Sequence, residues 1–245
     1  MKYTNFKMKN YKEVSDKISI LYGDTKVLDK GFVKIVDVMG NDSSIVESAR
    51  VSYSKGTKTK RKDDKLINYL LTNNHWTPFE MVVFKFHVKL PIFVARQWMR
   101  HRAGTFNEIS ARYSEMENQF YIPELTRMQK QSSENKQGSG EQLDYEYKKL
   151  CNSIIKRTCE SSFKEYETLL KLGLSRELSR IVLPVNLYTE FYWKVDLRNL
   201  FNFISLRSDN HAQYEIKQYS DVILDKIKHF VPVAFESYIN NKNKM

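Results

Sequence analysis

The sequence lacks the features of secreted, disulfide-rich and membrane-spanning proteins. Its 245 residues include only two cysteines, Cys151 and Cys159, together with eight glycines and five prolines. Two cysteines form neither a disulfide framework nor a zinc site, which needs about four ligands. The N-terminus has no apolar signal segment, and no run of about 18 apolar residues is present. We therefore expect a cytoplasmic protein that does not insert into a membrane.

Two common phosphate-binding loops are also missing. Gly138 and Gly140 stand in a polar segment, with Leu143 where the third glycine of a G-x-G-x-x-G loop belongs, and there is no Walker A sequence. The five histidines show no H-x-x-x-H spacing, so no metal site is expected. A nucleotide bound by this chain must be held by other means.

Positive charge is abundant. The chain has 40 Lys and Arg against 29 Asp and Glu, a formal net charge of +11, and its 41% hydrophobic residues are ordinary for a globular protein. An excess of this size favours an anionic partner or substrate. Nucleic acid, an anionic membrane surface and phosphorylated small molecules all remain open at this point.

Hydrophobic periodicity predicts both strands and helices. Residues 82–90 and 187–195 alternate apolar and polar side chains, as half-buried strands do. Asp196 is placed to cap one helix, and Asp209 to cap a final helix that runs to about residue 239. Strands and long helices without regular βαβ alternation favour a single α+β domain.

Composition suggests where this domain begins and ends. We expect an N-terminal extension over residues 1–28, a single catalytic domain over 29–240 and a polar tail over 241–245. Polar, low-complexity residues predict a flexible surface loop at 125–142. The basic stretch 55–62 has no interleaved aromatic residues, so it is interpreted as a solvated loop.

Arginines concentrate in one short segment. Arg96, Arg100, Arg102 and Arg112 fall within it, with His101 between two of them. Guanidinium groups this dense repel one another unless an anion lies nearby, and their planar donors match phosphate oxygens. A helix end whose charges face water is the alternative interpretation of the cluster alone.

Two other stretches carry related chemistry. The segment from His75 to Glu80 lies between a predicted helix and a strand, where a loop presents side chains to a ligand. Arg198 and Asn202 share one helix face at i, i+4 spacing. Taken singly, each has an ordinary structural explanation, because Arg198 can simply pair with an acidic neighbour.

One motif makes the sequence recognisable. Arg100-His101-Arg102, seven residues and then Ser110 match the RHR-x7-S signature of the flavin-dependent thymidylate synthases. The chain resembles that family over roughly residues 29–234. Five flanking segments occur in the family's order: WTPFE, PIFVARQW, NEIS-x-RYS, RIVLP-x-NLYT and LRSDNHAQ-x-E.

The resemblance implies a reaction and an assembly. The methylene group of methylenetetrahydrofolate is transferred to C5 of dUMP, and FAD reduced by NADPH supplies the hydride that completes the methyl group of dTMP. The family's fold has a mainly antiparallel sheet with long helices. Its members are homotetramers in which each active site draws on several subunits. Neither nucleic acid nor a membrane is an expected partner.

The resemblance also implies roles for particular residues. Arg207 matches the arginine that polarises the uracil ring, so it is the expected catalytic residue. The positions that match dUMP contacts are Gln97, Arg100, Glu108, Ser110, Ala111, Arg112, Arg180 and Arg207. The positions assigned to the FAD site are Ser52, His75, Thr77, Arg100, His101, Arg102, Glu108, Asp196, Arg198, Asn202 and His211.

Three details qualify this assignment. Ser110 has no adjacent base in sequence, so we expect it to bind dUMP rather than attack it. Asp196 stands where the family often has Asn, and an ionised Asp cannot donate a hydrogen bond. Ala111 stands where the family often has Gly.

Two other functions compete with this one. A basic RNA- or DNA-binding protein fits the net charge, but the basic residues are spread along the chain and no nucleic-acid motif is present. A flavin-dependent methyltransferase of uridine in RNA shares the cofactors, but it normally carries the dinucleotide-binding glycine loop that is absent here.

Overall fold

A computed structural model describes residues 22–51 and 62–241, and within them it has an α+β fold with a mainly antiparallel sheet, as predicted. The described strands are β1 (Thr25–Val27), β2 (Gly31–Met39), β3 (Val83–Pro91), β4 (Thr105–Glu108), β5 (Gln129–Gln131), β6 (Ser139–Gln142) and β7 (Tyr188–Asp196). The described α-helices are α1 (Asp42–Val51), α2 (Asp63–Thr72), α3 (Ile92–Trp98), α4 (Tyr145–Lys171), α5 (Arg176–Ser179), α6 (Leu197–Arg207), α7 (Tyr214–Ile227) and α8 (Pro232–Asn241). Short 3₁₀ turns cover Thr77–Met81, Leu125–Arg127 and Arg180–Val182.

The main sheet has five strands in the order β1-β2-β3-β7-β4, and every neighbouring pair is antiparallel. The two strands predicted from alternation, β3 and β7, are adjacent, with Phe86 opposite Trp193. On β3, Phe84 and Phe86 are fully buried, whereas Lys85 and His87 face the other way. The period of two therefore reports one covered face of the sheet.

Aromatic side chains join the covered face to the helices. Trp98 at the end of α3 lies 5.3 Å from Trp193 of β7 and 4.7 Å from Phe203 of α6, measured between ring centroids. Tyr219 of α7 lies 5.9 Å from the same Trp98 ring. These side chains are fully buried. Their packing therefore holds the C-terminal ends of α3 and α6 in fixed positions.

The structure differs from the predicted boundaries at both ends of the chain. Strand β1 lies within the segment 1–28 and pairs with β2 through Thr25 and Val33, so the sheet begins before residue 29. The residues before 22 lie outside the described part. At the other end, α8 includes Asn241, and residues 242–245 are outside it as well.

The segment 125–142 contains a 3₁₀ turn and the β5–β6 hairpin. Polar residues hold this hairpin, because Nε2 of Gln131 donates to the carbonyl oxygens of Lys136 and Gly138 at 3.0 Å. Its strands have no alternation of apolar residues, which is the signal that sequence analysis uses for a strand.

The prediction for Asp209 is wrong. Its Oδ1 accepts from the backbone N of His211 in a local turn, and Gln213 is the residue that precedes α7. The final helix is also two helices, because α7 ends at Ile227 and Pro232 begins α8. Proline suits the first turn of a helix but interrupts a continuing one.

Candidate active site

The arginine-rich motif follows the end of α3 and lies beside a cavity. Trp98 is fully buried, and Arg100, His101 and Arg102 follow it after Met99 in a turn. The burial of Trp98 thus places the three basic side chains at the edge of the core. The cavity measures about 270 Å³ and is lined by Arg100, His101, Arg102, Ala103, Gly104, Trp193, Val195, Asn199, Asn202, Leu206 and Arg207.

Arg207 is the most constrained cation at this cavity. Its Nε donates to Nε2 of His101 at 3.0 Å, and its Nη2 donates to the carbonyl oxygen of Gln97 at 3.1 Å. Burial, with a smaller contribution from the charge of Arg207, lowers the pKa of His101 from 6.5 to about 4. The imidazole is therefore neutral near pH 7 and accepts from the guanidinium. Burial lowers the pKa of Arg207, but a guanidinium remains protonated.

Strand β4 brings the middle of the motif to the sheet. It pairs with β7 and places Glu108 opposite Phe191, where the hydroxyl of Thr189 donates to Oε1 of Glu108 at 2.6 Å. Gly104 permits the approach, because a Cβ at this position would lie 2.2 Å from Nε1 of Trp193. Strand β4 is not predicted from the sequence, because its mostly exposed residues carry no apolar alternation.

A turn follows β4. The backbone N of Arg112 donates to Oγ of Ser110 at 3.3 Å, and the backbone N of Ser114 donates to its carbonyl oxygen at 3.1 Å. Ala111 lies between Ser110 and Arg112 in this turn and is half-buried. Within the described residues, no histidine or carboxylate contacts the Ser110 hydroxyl, so no general base activates it there.

Arg112 and Arg180 meet at one residue. Nη2 of Arg112 lies 3.2 Å from the carboxylate of Glu177, and Nε of Arg180 donates to its backbone carbonyl at 3.2 Å. The Arg112 and Glu177 side chains are 52% and 57% exposed. Both arginines thus contact Glu177, and both side chains are exposed to solvent.

The start of α6 is tied to the Thr77–Met81 turn. Asp196 caps the helix as predicted, since its two oxygens accept from the backbone N of Asn199 at 3.0 Å and from Nδ2 of Asn199 at 2.7 Å. Arg198 pairs with Glu80 at 2.5 Å. One turn further on, Asn202 lines the 270 Å³ cavity. A strip of polar side chains therefore runs from the turn to the arginine motif.

A larger cavity lies at the other end of this strip. It measures about 780 Å³ and includes His75, Thr77 and Trp76 in its lining. The His75 ring packs edge-on against Tyr69, with 5.9 Å between the centroids. Ser52, another expected FAD contact, lies outside the described residues.

Within one chain, the predicted site residues therefore lie in separate locations. Arg100, His101, Arg102, Asn202 and Arg207 share the 270 Å³ cavity, whereas Arg112 and Arg180 meet at Glu177. His75 and Thr77 line the larger cavity, and the His211 side chain is exposed. Gln213, which contacts Gln97, has no role predicted from the sequence. It lies within the segment LRSDNHAQ-x-E, which resembles the family and is the one signal that points to it.

Among residues 22–51 and 62–241, no group of three or more His, Cys, Asp or Glu side chains could hold a metal ion. No helix in the same part of the chain is long and apolar enough to cross a membrane.

The sequence matches a known family over most of its length. The profile of the family Thy1, described as thymidylate synthase complementing protein, matches residues 34–233. A flavin-dependent thymidylate synthase of Ehrlichia ruminantium is 51% identical over 220 residues, which are 90% of this chain and 74% of the relative. The corresponding protein of Thermus thermophilus is 53% identical over 213 residues, or 86% of this chain and 77% of the relative.

A solved structure has a similar fold. It is that of PolB, a UMP/dUMP methylase from Streptomyces cacaoi bound with 5-Br UMP, with a TM-score of 0.79 and 32% sequence identity. The match covers 88% of this chain and 96% of PolB. The fold, the RHR-x7-S motif at the cavity and the extent of these matches agree with one another. This chain belongs to the family of flavin-dependent thymidylate synthases.

Proposed function

We propose that the protein converts dUMP to dTMP at the surfaces described above. The methylene group of methylenetetrahydrofolate goes to C5 of dUMP, NADPH provides the reducing equivalents through FAD, and tetrahydrofolate and NADP⁺ are released. Family membership supports this reaction, as does the likeness to a UMP/dUMP methylase. The observation that carries the residue assignment is the fixed orientation of Arg207 by His101 and Gln97.

Arg207 is the proposed catalytic residue. Negative charge develops along the N3–O4 edge of uracil as C5 becomes nucleophilic, and a cation already in place there stabilises it without reorganising. The neutral His101 ring accepts from Nε, and the Gln97 carbonyl accepts from Nη2. Both contacts hold the guanidinium plane while adding no net charge that would cancel its own.

Arg112 and Arg180 are the proposed phosphate partners. A nucleoside monophosphate is a dianion, and planar guanidinium donors match its oxygens. In this chain, Arg112 pairs with the exposed carboxylate of Glu177, an interaction that contributes only about 0–1 kcal/mol. A phosphate can therefore replace that carboxylate at little cost. Ser110, Ala111 and Glu108 complete this part of the proposed dUMP site.

The 270 Å³ cavity has the donor set that FAD requires. Guanidinium groups of Arg100 and Arg102 and the amide of Asn202 stand beside the apolar side chains of Val195 and Leu206. This combination suits a pyrophosphate joined to a flat ring. Bound FAD supplies the hydride that converts the transferred methylene to a methyl group. Further FAD contacts are proposed from Ser52, His75, Thr77, His101, Glu108, Arg198 and His211.

The side chain of Asp196 does not fit the role of an FAD contact. Both of its oxygens already accept hydrogen bonds from Asn199. It therefore acts on the site by ordering the first turn of α6, which carries Arg198 and leads to Asn202.

We further propose a homotetramer in which neighbouring subunits complete each site. Apolar side chains stand exposed along one face of α4, where Tyr147, Leu150 and Ile154 are 60%, 56% and 44% exposed. Ile181 beside α5 is 74% exposed. An apolar surface of this kind is typical of subunit interfaces. Sharing also explains why one chain separates Arg112 and Arg180 from the cavity of Arg207. The cytoplasmic location stays a prediction.

Anaerobic turnover of the FAD-loaded protein tests this function. NADPH oxidation and dTMP formation are followed with all components, and then with dUMP or methylenetetrahydrofolate left out. We expect dTMP only from the complete mixture. NADPH oxidation without dTMP would mean that the acceptor is wrong. Failure to bind flavin, together with salt-dependent binding of a polynucleotide, would instead favour the nucleic-acid-binding function.

A further inference from the structure

A chain of hydrogen bonds leads from Arg207 to the start of α7. Nη2 of Arg207 donates to the carbonyl oxygen of Gln97 at 3.1 Å, and Nε2 of Gln97 donates to Oε1 of Gln213. Nε2 of Gln213 then donates to Oε2 of Glu215 at 2.8 Å. Gln97 lies in α3, so the chain joins two helices that are distant in sequence.

The chain of hydrogen bonds ends at Glu215, a charged residue that is only 6% exposed, which is unusual for a carboxylate. The hydroxyl of Tyr121 donates to its Oε1 at 3.1 Å, and Nε of Arg127 lies 3.9 Å from the same oxygen. Burial and the neighbouring carboxylate raise the pKa of Tyr121 well above its usual value, so the phenol stays a donor. A buried carboxylate costs free energy unless it is paired and hydrogen-bonded, and these partners offset that cost.

The carboxylate dictates the direction of the two bonds that the side-chain amides of Gln213 and Gln97 make. An ionised carboxylate only accepts, so Gln213 must turn its amide nitrogen toward Glu215 and its oxygen toward Gln97. Gln97 must then use its nitrogen for Gln213. Its side-chain oxygen is left over, and among residues 22–51 and 62–241 no donor contacts it.

We propose that Glu215 and Gln213 are positioning residues that fix the orientation of the Gln97 amide, so that its oxygen meets a hydrogen-bond donor of the bound nucleotide. The proposal rests on the proposed function, in which Gln97 contacts dUMP. The donors of dUMP are N3–H of uracil and the 3′ hydroxyl, because its ionised phosphate oxygens only accept. The oriented oxygen therefore selects the nucleoside part of the substrate and disfavours its phosphate.

A double-mutant cycle tests the coupling. Gln97→Met, Gln213→Met and the double variant keep the side-chain length while removing the amides. The dissociation constant of dUMP is measured calorimetrically on the FAD-loaded full chain, with KM and kcat alongside. We expect each single change to weaken dUMP binding about three- to tenfold, as loss of one hydrogen bond does. The double variant should be no weaker than Gln97→Met, and kcat at saturating dUMP should change less than KM.

Glu215→Gln examines the direction of the chain. A glutamine at this position can donate as well as accept, so Gln213 is no longer forced to present its nitrogen. We expect dUMP binding to weaken as in Gln213→Met. Tyr121→Phe is the matched control, because it removes a hydrogen bond to the other oxygen of the same carboxylate. It should lower the free energy of unfolding yet leave the dissociation constant of dUMP unchanged.

Several results would overturn the proposal. Additive effects of Gln97→Met and Gln213→Met would mean that Gln213 does not act through Gln97. If Tyr121→Phe weakens dUMP binding as much as Gln213→Met does, Gln213 and Glu215 have only a structural role. Wild-type protein that binds no dUMP would overturn the proposed function and this inference together. Normal wild-type binding with unaffected variants would overturn the inference alone.

Binding of 2′,3′-dideoxyuridine monophosphate identifies the donor of the nucleotide. If Gln213→Met still weakens binding of this analogue, the donor is N3–H of uracil. If Gln213→Met no longer has an effect, the donor is the 3′ hydroxyl.

Discussion

Two groups of arginines in this protein are held in different ways. Arg207 ends a helix whose buried side chains, Phe201 and Phe203 among them, pack in the aromatic core, and its guanidinium donates to His101 and to Gln97. Arg112 and Arg180 lie on a turn and a short helical segment, where Glu177 is an exposed partner of both. The first arrangement is pre-oriented, whereas the second can rearrange when an anion arrives. A cation that stabilises developing charge needs the first kind of support, and one that captures a phosphate can use the second.

The largest effect should come from the constrained arginine. Arg207→Ala removes the cation that we propose faces the developing charge, so we expect turnover to fall by about 10²–10³-fold. Flavin absorbance after gel filtration should show FAD still bound, because Arg100, Arg102 and Asn202 remain. Rapid-quench measurement of dTMP gives the rate. Turnover close to that of the wild type would contradict the assigned role.

The exposed pair should affect binding more than chemistry. Arg112→Ala or Arg180→Ala should raise KM for dUMP about tenfold or more, because each removes a proposed charge-assisted hydrogen bond to the phosphate, with a smaller change in kcat. Arg176→Ala is the matched control, since Arg176 forms a similar exposed ion pair with Glu115 at 3.4 Å. Steady-state kinetics over a range of dUMP concentrations separates the two parameters. An equal rise in KM for Arg176→Ala would argue against a specific phosphate site.

His101, which accepts a hydrogen bond from Arg207, should also affect how the free energy of unfolding depends on pH. His101 has a pKa of about 4 in the folded protein and 6.5 ordinarily, so the unfolded chain binds more protons between these values. The contribution of neutral His101 to the free energy of unfolding is complete above about pH 6.5 and is lost as the pH falls toward 4. We expect His101→Gln, whose amide oxygen can still accept from Arg207, to lose this part of the pH dependence. Urea unfolding of both proteins from pH 4 to 7 measures it, and identical curves would contradict the neutral state of His101.

The smallest effect should come from the two cysteines, Cys151 and Cys159, which both lie in α4. Cys151→Ala combined with Cys159→Ala should leave kcat and KM unchanged. Stability should fall by about 1 kcal/mol, because Cys159 is buried and its Sγ accepts from Nδ2 of Asn186 at 3.1 Å. Activity of the double variant is compared after circular dichroism confirms folding. A large loss of dTMP formation in folded protein would require a nucleophilic cysteine.

Much of the fold was predictable because burial leaves a periodic trace. Strands β3 and β7 alternate in sequence because one face of each is covered, and Asp196 caps α6 as its position indicated. The polar strands β4, β5 and β6 were missed because they bury little apolar surface. Asp209 was assigned to the wrong structure because an aspartate stabilises a local turn as readily as a helix start.

The sequence by itself determined the family, through a motif and five flanking segments in a fixed order, and it determined the chemical character of the site through its arginines. Only the tertiary structure decided which of these groups meet. His101 and Arg207 are 106 positions apart, and Gln97 and Gln213 are 116 apart. A periodic pattern records whether a side chain is buried, but it carries no information about the partner of a hydrogen bond. That partner is chosen when Trp98, Trp193 and Phe203 pack and bring α3, β7 and α6 together.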